Sequence, residues 1–332
     1  MQPSVNSNTP LSRTAGLVFL IAGIILTIAP LFVDAGVLRT LVEVFVFVTL
    51  ALMWNLLCGY GGMPSIGQHA FIGLSAYLLF TLANKWGVQP FLAWVIAIAI
   101  CGALAWPLTH LLFRLRDGYF AIGTWVVADT LRLIAANTSY VGGGSGMTLT
   151  AFRSISFSVR SLSIYWLALA LVFASLIGCY LLLKSRFGLA LTAIRDNERC
   201  ASGIGINVKR VKTIIFVLTS MGFAAAGGIY YMNALRVSPD SAFGIHWSAI
   251  LIFMVVVGGI GSLEGPLIGA FLYLILLNYF SDSGTMYLIG LGVAAISVTL
   301  LFRSGIWGAI VGKFNIHIFP TSRHVSHLPR GQ

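Results

Sequence analysis

The chain has 332 residues, of which 58% are hydrophobic and only 9% charged, and its formal net charge is +11. Soluble domains carry about 25% charged residues, so this composition and a mean hydropathy of +0.94 exclude a soluble globular protein. No basic face interleaves aromatic residues, which argues against nucleic acid; in a membrane protein the excess of Lys and Arg belongs to loops on one side of the bilayer.

Apolar runs of roughly 20 residues are long enough to cross the hydrocarbon core as helices. Ten crossings are predicted, at 14–33, 37–57, 66–83, 88–112, 119–137, 163–183, 213–235, 246–260, 265–281 and 285–302. The first exceeds the roughly 7–15 apolar residues of a signal peptide and is read as a retained helix. Three residues inside these runs are expected to matter because charge in a bilayer is costly. Glu43 lies in the second run, and Asp129 and Arg132 lie three apart in the fifth, close enough to pair. Two junctions are rich in glycine. "GYGGMPSIGQHAFIG" (59–73) contains Ser65 and His69; "GGIGSLEGPLIGAF" (258–271) contains Gly258, Gly261, Glu264 and Gly265. Broken backbone in lipid must be satisfied by protein or water, so both junctions are expected either to pack tightly against other helices or to line a pathway. Glu264, just before Gly265 and Pro266, is placed at a helix start, near the positive dipole end.

The longest loop between crossings, 138–162, carries "VGGGSG" and then "RSISFSVRS", whose alternation predicts a short strand or an extended lid. The segment 184–212, "KSRFGLALTAIRDNERCASGIGINVKRVK", is too polar to cross. Its small residues at helical spacing and its Gly203 and Gly205 predict short helices with a bend between them. Placing 184–212 inside also places 1–13, 113–118 and 303–332 inside. Those segments hold fourteen of the twenty basic residues, as the positive-inside rule requires. The organisation is therefore a tail at 1–13, a membrane domain at 14–302, and a tail at 303–332, with both termini in the cytoplasm. Five crossings per half would give an inverted repeat.

Catalytic chemistry has no carrier. There is no GxxxxGK[ST], HExxH or GxSxG motif, and Cys58, Cys101, Cys179 and Cys200 have neither metal-ligand nor CxxC spacing. No catalytic residue, metal or bound cofactor is expected.

The stretch "GLALTAIRDNERCASGIGINVKRVK" resembles a cytoplasmic segment of permeases in branched-chain amino-acid ABC importers, commonly G-R-A-L-x-A-I-R-[DE]-[DN]-E-x-A-A-x-x-x-G-I-[ND]. The likeness continues through "FVLTSMGFAAAGGIYY", "VSPDSAFGIHWSAILIFMVVVGGIGSLEGPLIGAFL" and "FRLRDGYFAIGTWVVADTLRL". The chain departs from the family at Pro64 and Gln68, at Asp129 where Glu is usual, and at Cys200 and Ser202. The resemblance implies an all-α permease of the bacterial inner membrane, in contact with lipid. Its expected partners are a second homologous permease, two ATP-binding cassette subunits that hold ATP and Mg, and a periplasmic solute-binding protein. It makes 184–212 the coupling loop, with Arg195, Asp196, Glu198, Arg199, Ala201 and Gly205 at the ATPase contact. Urea and short-amide permeases share much of the pattern. A stand-alone secondary transporter or channel is the alternative of a different class.

Overall fold

The computed structural model describes residues 21–116, 118–280, 285–302 and 304–314; the expected tail 1–13, the start of the first crossing and most of the tail after 302 lie outside them. The described residues form α1 (Ile21–Leu31), α2 (Ala35–Asn55, extended by a π-helical turn, Leu56–Tyr60), α3 (His69–Lys85), α4 (Pro90–Leu112), α5 (Gly118–Asn137) and α6 (Phe157–Lys184). They continue with α7 (Arg186–Asp196), α8 (Glu198–Gly203), α9 (Val208–Ala234), α10 (Pro239–Ala242), α11 (His246–Gly258), α12 (Glu264–Phe280), α13 (Thr285–Leu301) and α14 (Gly305–Phe314).

Each of the ten predicted crossings coincides with a helix, the first only in its described part. Among the described residues, seven helical stretches are long and apolar enough to span a bilayer. The remainder are shorter: α1 and α12 are brief apolar helices, and α3 has 17 residues. Two sequence expectations shift. The strand is not at 153–161: α6 starts at Phe157, and the strand is Met147–Thr148, paired antiparallel with Arg236–Val237. Isolated alternation in a polar stretch does not hold a strand without a partner edge, and the partner lies about 90 residues downstream. The segment after 302 is also not a plain tail, because α14 packs on α11 and α12.

α2 and α9 form the centre. From Phe45 to Leu57 every residue of α2 and its π turn is buried. Phe47 packs its ring against Tyr273 of α12 at 5.0 Å, Trp247 of α11 at 6.0 Å and Tyr230 of α9 at 6.2 Å. α9 approaches its neighbours through small residues, since a Cβ on Gly227 would stand 2.7 Å from the Ile72 backbone and one on Gly228 2.5 Å from Trp94. Small residues substitute here for the hydrophobic drive that lipid does not supply. Large apolar side chains on α4 (Val95, Leu104) and α13 (Val293, Ile296) face outward, as membrane-facing helices do.

Helix adjacency repeats between the halves. α3 packs on α9, α4 and α5, and α4 packs on α9; correspondingly α11 packs on α2, α12 and α13, and α12 packs on α2. The contacts among α3, α4 and α9 thus have a counterpart in those among α11, α12 and α2.

Candidate functional site

Residues 184–212 fold as three capped pieces. Ser185 Oγ accepts from Phe187 N (3.2 Å) to open α7. Asn197 ends α7 and caps α8, accepting from Arg199 N and Cys200 N at 3.1 and 3.0 Å. Gly205 turns the chain at φ +87°, a conformation that suits glycine, and Asn207 caps α9 through Arg210 N at 3.0 Å. α7 buries Gly188, Leu191 and Ile194 on one face. Arg199, Cys200, Ser202, Gly203, Ile204 and Gly205 are exposed at the tip. Ala201 is not part of this outer face: it is only 2% exposed and its carbonyl accepts from Ile206 N at 3.1 Å. A single helical turn puts Ala201 opposite Arg199, on the inner side of α8. Glu198 pairs with Lys212 at 2.6 Å, folding α8 back on α9.

Arg195, in the last turn of α7, sits on the first glycine-rich junction and beside the second, where a Cβ on Gly261 would stand 3.5 Å from its Nη1. Arg195 Nη1 donates to the Gly59 carbonyl at 3.1 Å while its Nε holds Asp196 at 2.9 Å. Gly62, at φ +63°, lies so close that a Cβ would stand 3.1 Å from the Arg195 Cα. Asn55, 1% exposed, reaches across to the second junction. Its Nδ2 donates to the Ser262 carbonyl at 2.7 Å and its Oδ1 accepts from Gly261 N at 2.8 Å. A Cβ on Gly59 would stand 2.8 Å from that same Gly261 nitrogen. Two breaks some 200 residues apart in sequence thus meet at one end of the bundle, with the peripheral helix closing over them. Asn55 was not singled out from the sequence; its signal was a lone amide in the apolar run "LALMWNLLCGY".

Backbone contact dominates the second break. Cβ atoms on Gly258, Gly265 and Gly269 would overlap the carbonyl oxygens of Gly265, Gly259 and Met254, so α11 and α12 form a hairpin in contact along their main chains. Gly261 takes the turn at φ +77°. Glu264 is the first residue of α12 and is buried, where its charge suits the helix start. The cap on Gly265 N comes from Ser262 Oγ at 3.1 Å.

The first break runs inward from this junction. The Ser65 carbonyl accepts from Trp54 Nε1 at 3.0 Å, and its hydroxyl accepts from Gln68 Nε2 at 3.1 Å. Thr124 Oγ1 of α5 accepts from Ile66 N and Gly67 N at 3.3 and 3.2 Å. His69 Nδ1 lies 2.9 Å from Ser248 Oγ of α11. That hydroxyl also bonds the Ile66 carbonyl. His69 therefore fastens α3 to α11.

At the opposite end, Arg132 Nε bonds Asp129 at 2.8 Å and Arg132 Nη1 reaches Asp240 of α10 at 3.1 Å. Sequence spacing indicated the first pair but not the second, since α10 comes from a distant loop. Glu43 stands 3.9 Å from Arg39. Asn84 orders the long loop here, donating to the Thr148 carbonyl at 2.8 Å and accepting from Thr150 N at 2.9 Å.

These features define a class: a polytopic helical transport protein with broken helices tied to a peripheral helical segment. Residues 36–302 match the model of the family described as branched-chain amino acid transport system / permease component, and the chain belongs to that family. It is 26% identical to the high-affinity branched-chain amino acid permease protein LivM of Escherichia coli, over 88% of this chain and 74% of that one. It is 26% identical to the probable branched-chain amino acid permease protein LivH of Methanocaldococcus jannaschii (68% and 76%) and 25% identical to a tyrosine transport system permease of Clostridioides difficile (74% and 83%). No solved structure matches the chain.

Proposed function

We propose that this chain is one of two homologous permeases in an ATP-driven, binding-protein-dependent importer of branched-chain amino acids, and that α7 and α8 couple it to the ATPases. Two cassette subunits would hold ATP and Mg, and a soluble protein would deliver the solute at the end bearing the Met147–Thr148 ribbon. The observation that carries this reading is Arg195 of α7, bonded to the first helix break at Gly59 and lying beside Gly261 of the second, with an open glycine-containing tip beyond it. Force on the tip would be transmitted to both breaks at once, and ATP shifts such an equilibrium only by binding its two states unequally. The solutes named for the three relatives above, which match two thirds or more of this chain, are branched-chain amino acids and tyrosine and support a hydrophobic amino acid over urea; shorter matches name autoinducer 2 and xylose.

Gly203→Trp tests the coupling role. A Cβ at Gly203 meets nothing within 4 Å, so bulk is harmless to this chain alone. Gly205 is a poorer probe, because its left-handed backbone costs other residues roughly 1–2 kcal/mol. With the complete complex in proteoliposomes, Gly203→Trp should reach the membrane normally, lose leucine uptake by about tenfold or more, and uncouple hydrolysis from loaded binding protein. Overpacking a docked tip costs about 1–3 kcal/mol. Full uptake and stimulation would remove α8 from the coupling path.

Sidedness follows the charge count, with α7 and α8 and both termini facing the cytoplasm of a bacterial inner membrane. Cysteines placed at Lys209 and at exposed Gly144 should label from opposite faces in intact cells, Gly144 from outside. Labelling of both from one face would overturn this orientation.

A further inference from the structure

A cavity of about 260 Å³ opens between the first turns of α2 and α6 and the last turn of α9, at the end opposite α7 and α8. Arg39 and Arg160 line it, together with Gly36, Ser161, Asn233 and Leu235, and no acidic residue does; the Arg160 guanidinium stands 5.3 Å over the Phe157 ring. Glu43 approaches Arg39 only at 3.9 Å. The side chains at the two N-cap positions, Asp34 and Ser156, make no capping bond, so both helix starts beside this region carry N–H groups that no side chain caps. Paired arginines beside helix N-termini favour an anion, and the planar guanidinium suits the oxygens of a phosphate.

The surroundings point to the source of that phosphate. Phe32, Val37, Phe157 and Leu162 are 83%, 50%, 61% and 41% exposed around the cavity's helices. A free anion has no use for such a rim, whereas the acyl chains of a lipid do. The volume lies below the roughly 300–1,000 Å³ of sites that enclose a drug-sized ligand, so it admits a headgroup and leaves the chains outside. We propose that this cavity binds the phosphate of an anionic phospholipid in the leaflet opposite the coupling helices, with its acyl chains lying along α2 and α6. The bound lipid would brace the ends of α2, α6 and α9 that frame the cavity.

The full chain, purified with whatever subunits accompany it and stripped of lipid, would be titrated with phosphatidylglycerol, phosphatidylcholine or glycerol phosphate. Unfolding midpoint and lipid retained in native mass spectrometry are the readouts. Phosphatidylglycerol should raise the midpoint and stay bound, and the other two should not at the same concentration. Arg160→Gln should weaken the apparent affinity about tenfold, the scale of one lost charge-assisted bond, and Arg160→Lys should recover most of it. Gly36 lines the cavity and a Cβ there meets nothing within 4 Å, so Gly36→Leu adds bulk at the cavity wall without overlap; it should diminish the shift without lowering the lipid-free midpoint. Equal response to phosphatidylcholine, or undiminished binding by Gly36→Leu, would overturn the site. A full response to glycerol phosphate would overturn the lipid as its occupant.

Discussion

Gly269→Ala should destabilise the protein by about 3 kcal/mol, the upper end of ordinary overpacking. The added methyl would overlap the Met254 carbonyl oxygen and stand 2.6 Å from the carbonyl carbon. Both are main-chain atoms of a buried helix, so no rotamer change relieves the contact. α11 and α12 must separate, and Phe47 then loses part of its packing on Tyr273 and Trp247. The unfolding midpoint in detergent and the amount of folded protein in membranes measure the effect. Gly290→Ala, in open space on α13, is the matched control and should be neutral or slightly stabilising, because Ala favours helix over Gly by up to about 1 kcal/mol. Equal midpoints for the two variants would contradict the main-chain hairpin.

Asn55→Leu should cost about 2–5 kcal/mol and remove most transport. Leu matches the shape of Asn but leaves the Gly261 N–H and the Ser262 carbonyl without their partner. Each buried group left unpaired costs about 1–3 kcal/mol. The two breaks would come apart at the end where α7 sits, so uptake should fall further than stability explains. Proteolysis at 259–263 should also accelerate while cleavage in the 138–156 loop stays unchanged. An Asn55→Leu protein with normal uptake would separate the junction from function.

The membrane helices were legible because charge is scarce inside them; the side-chain caps Ser185, Asn197 and Asn207, which open three helices within 23 residues, were a signal left unused. The Asp129–Arg132 pair was legible for the same local reason. What the sequence did not reveal is nonlocal. Asn55 finds its partners 206 and 207 positions away, and Arg132 finds Asp240 a further 108 along. Nor do the six residues of α8 give enough periodicity to decide that Ala201 faces inward. The strand was misplaced because pairing, not local alternation, selects Met147–Thr148.

The partners at the junction have a further consequence. Arg195 bonds a main-chain carbonyl, and Asn55 bonds a main-chain N–H and a main-chain carbonyl. A substitution at 59, 261 or 262 leaves these bonding atoms in place, so it calls for no compensating exchange at 195 or 55. Correlated substitution, which reports side chain against side chain, should therefore be silent across this junction. Selection would act there one residue at a time: on Asn55 and Arg195 for their hydrogen-bonding groups, and on Gly59 for the side chain it lacks.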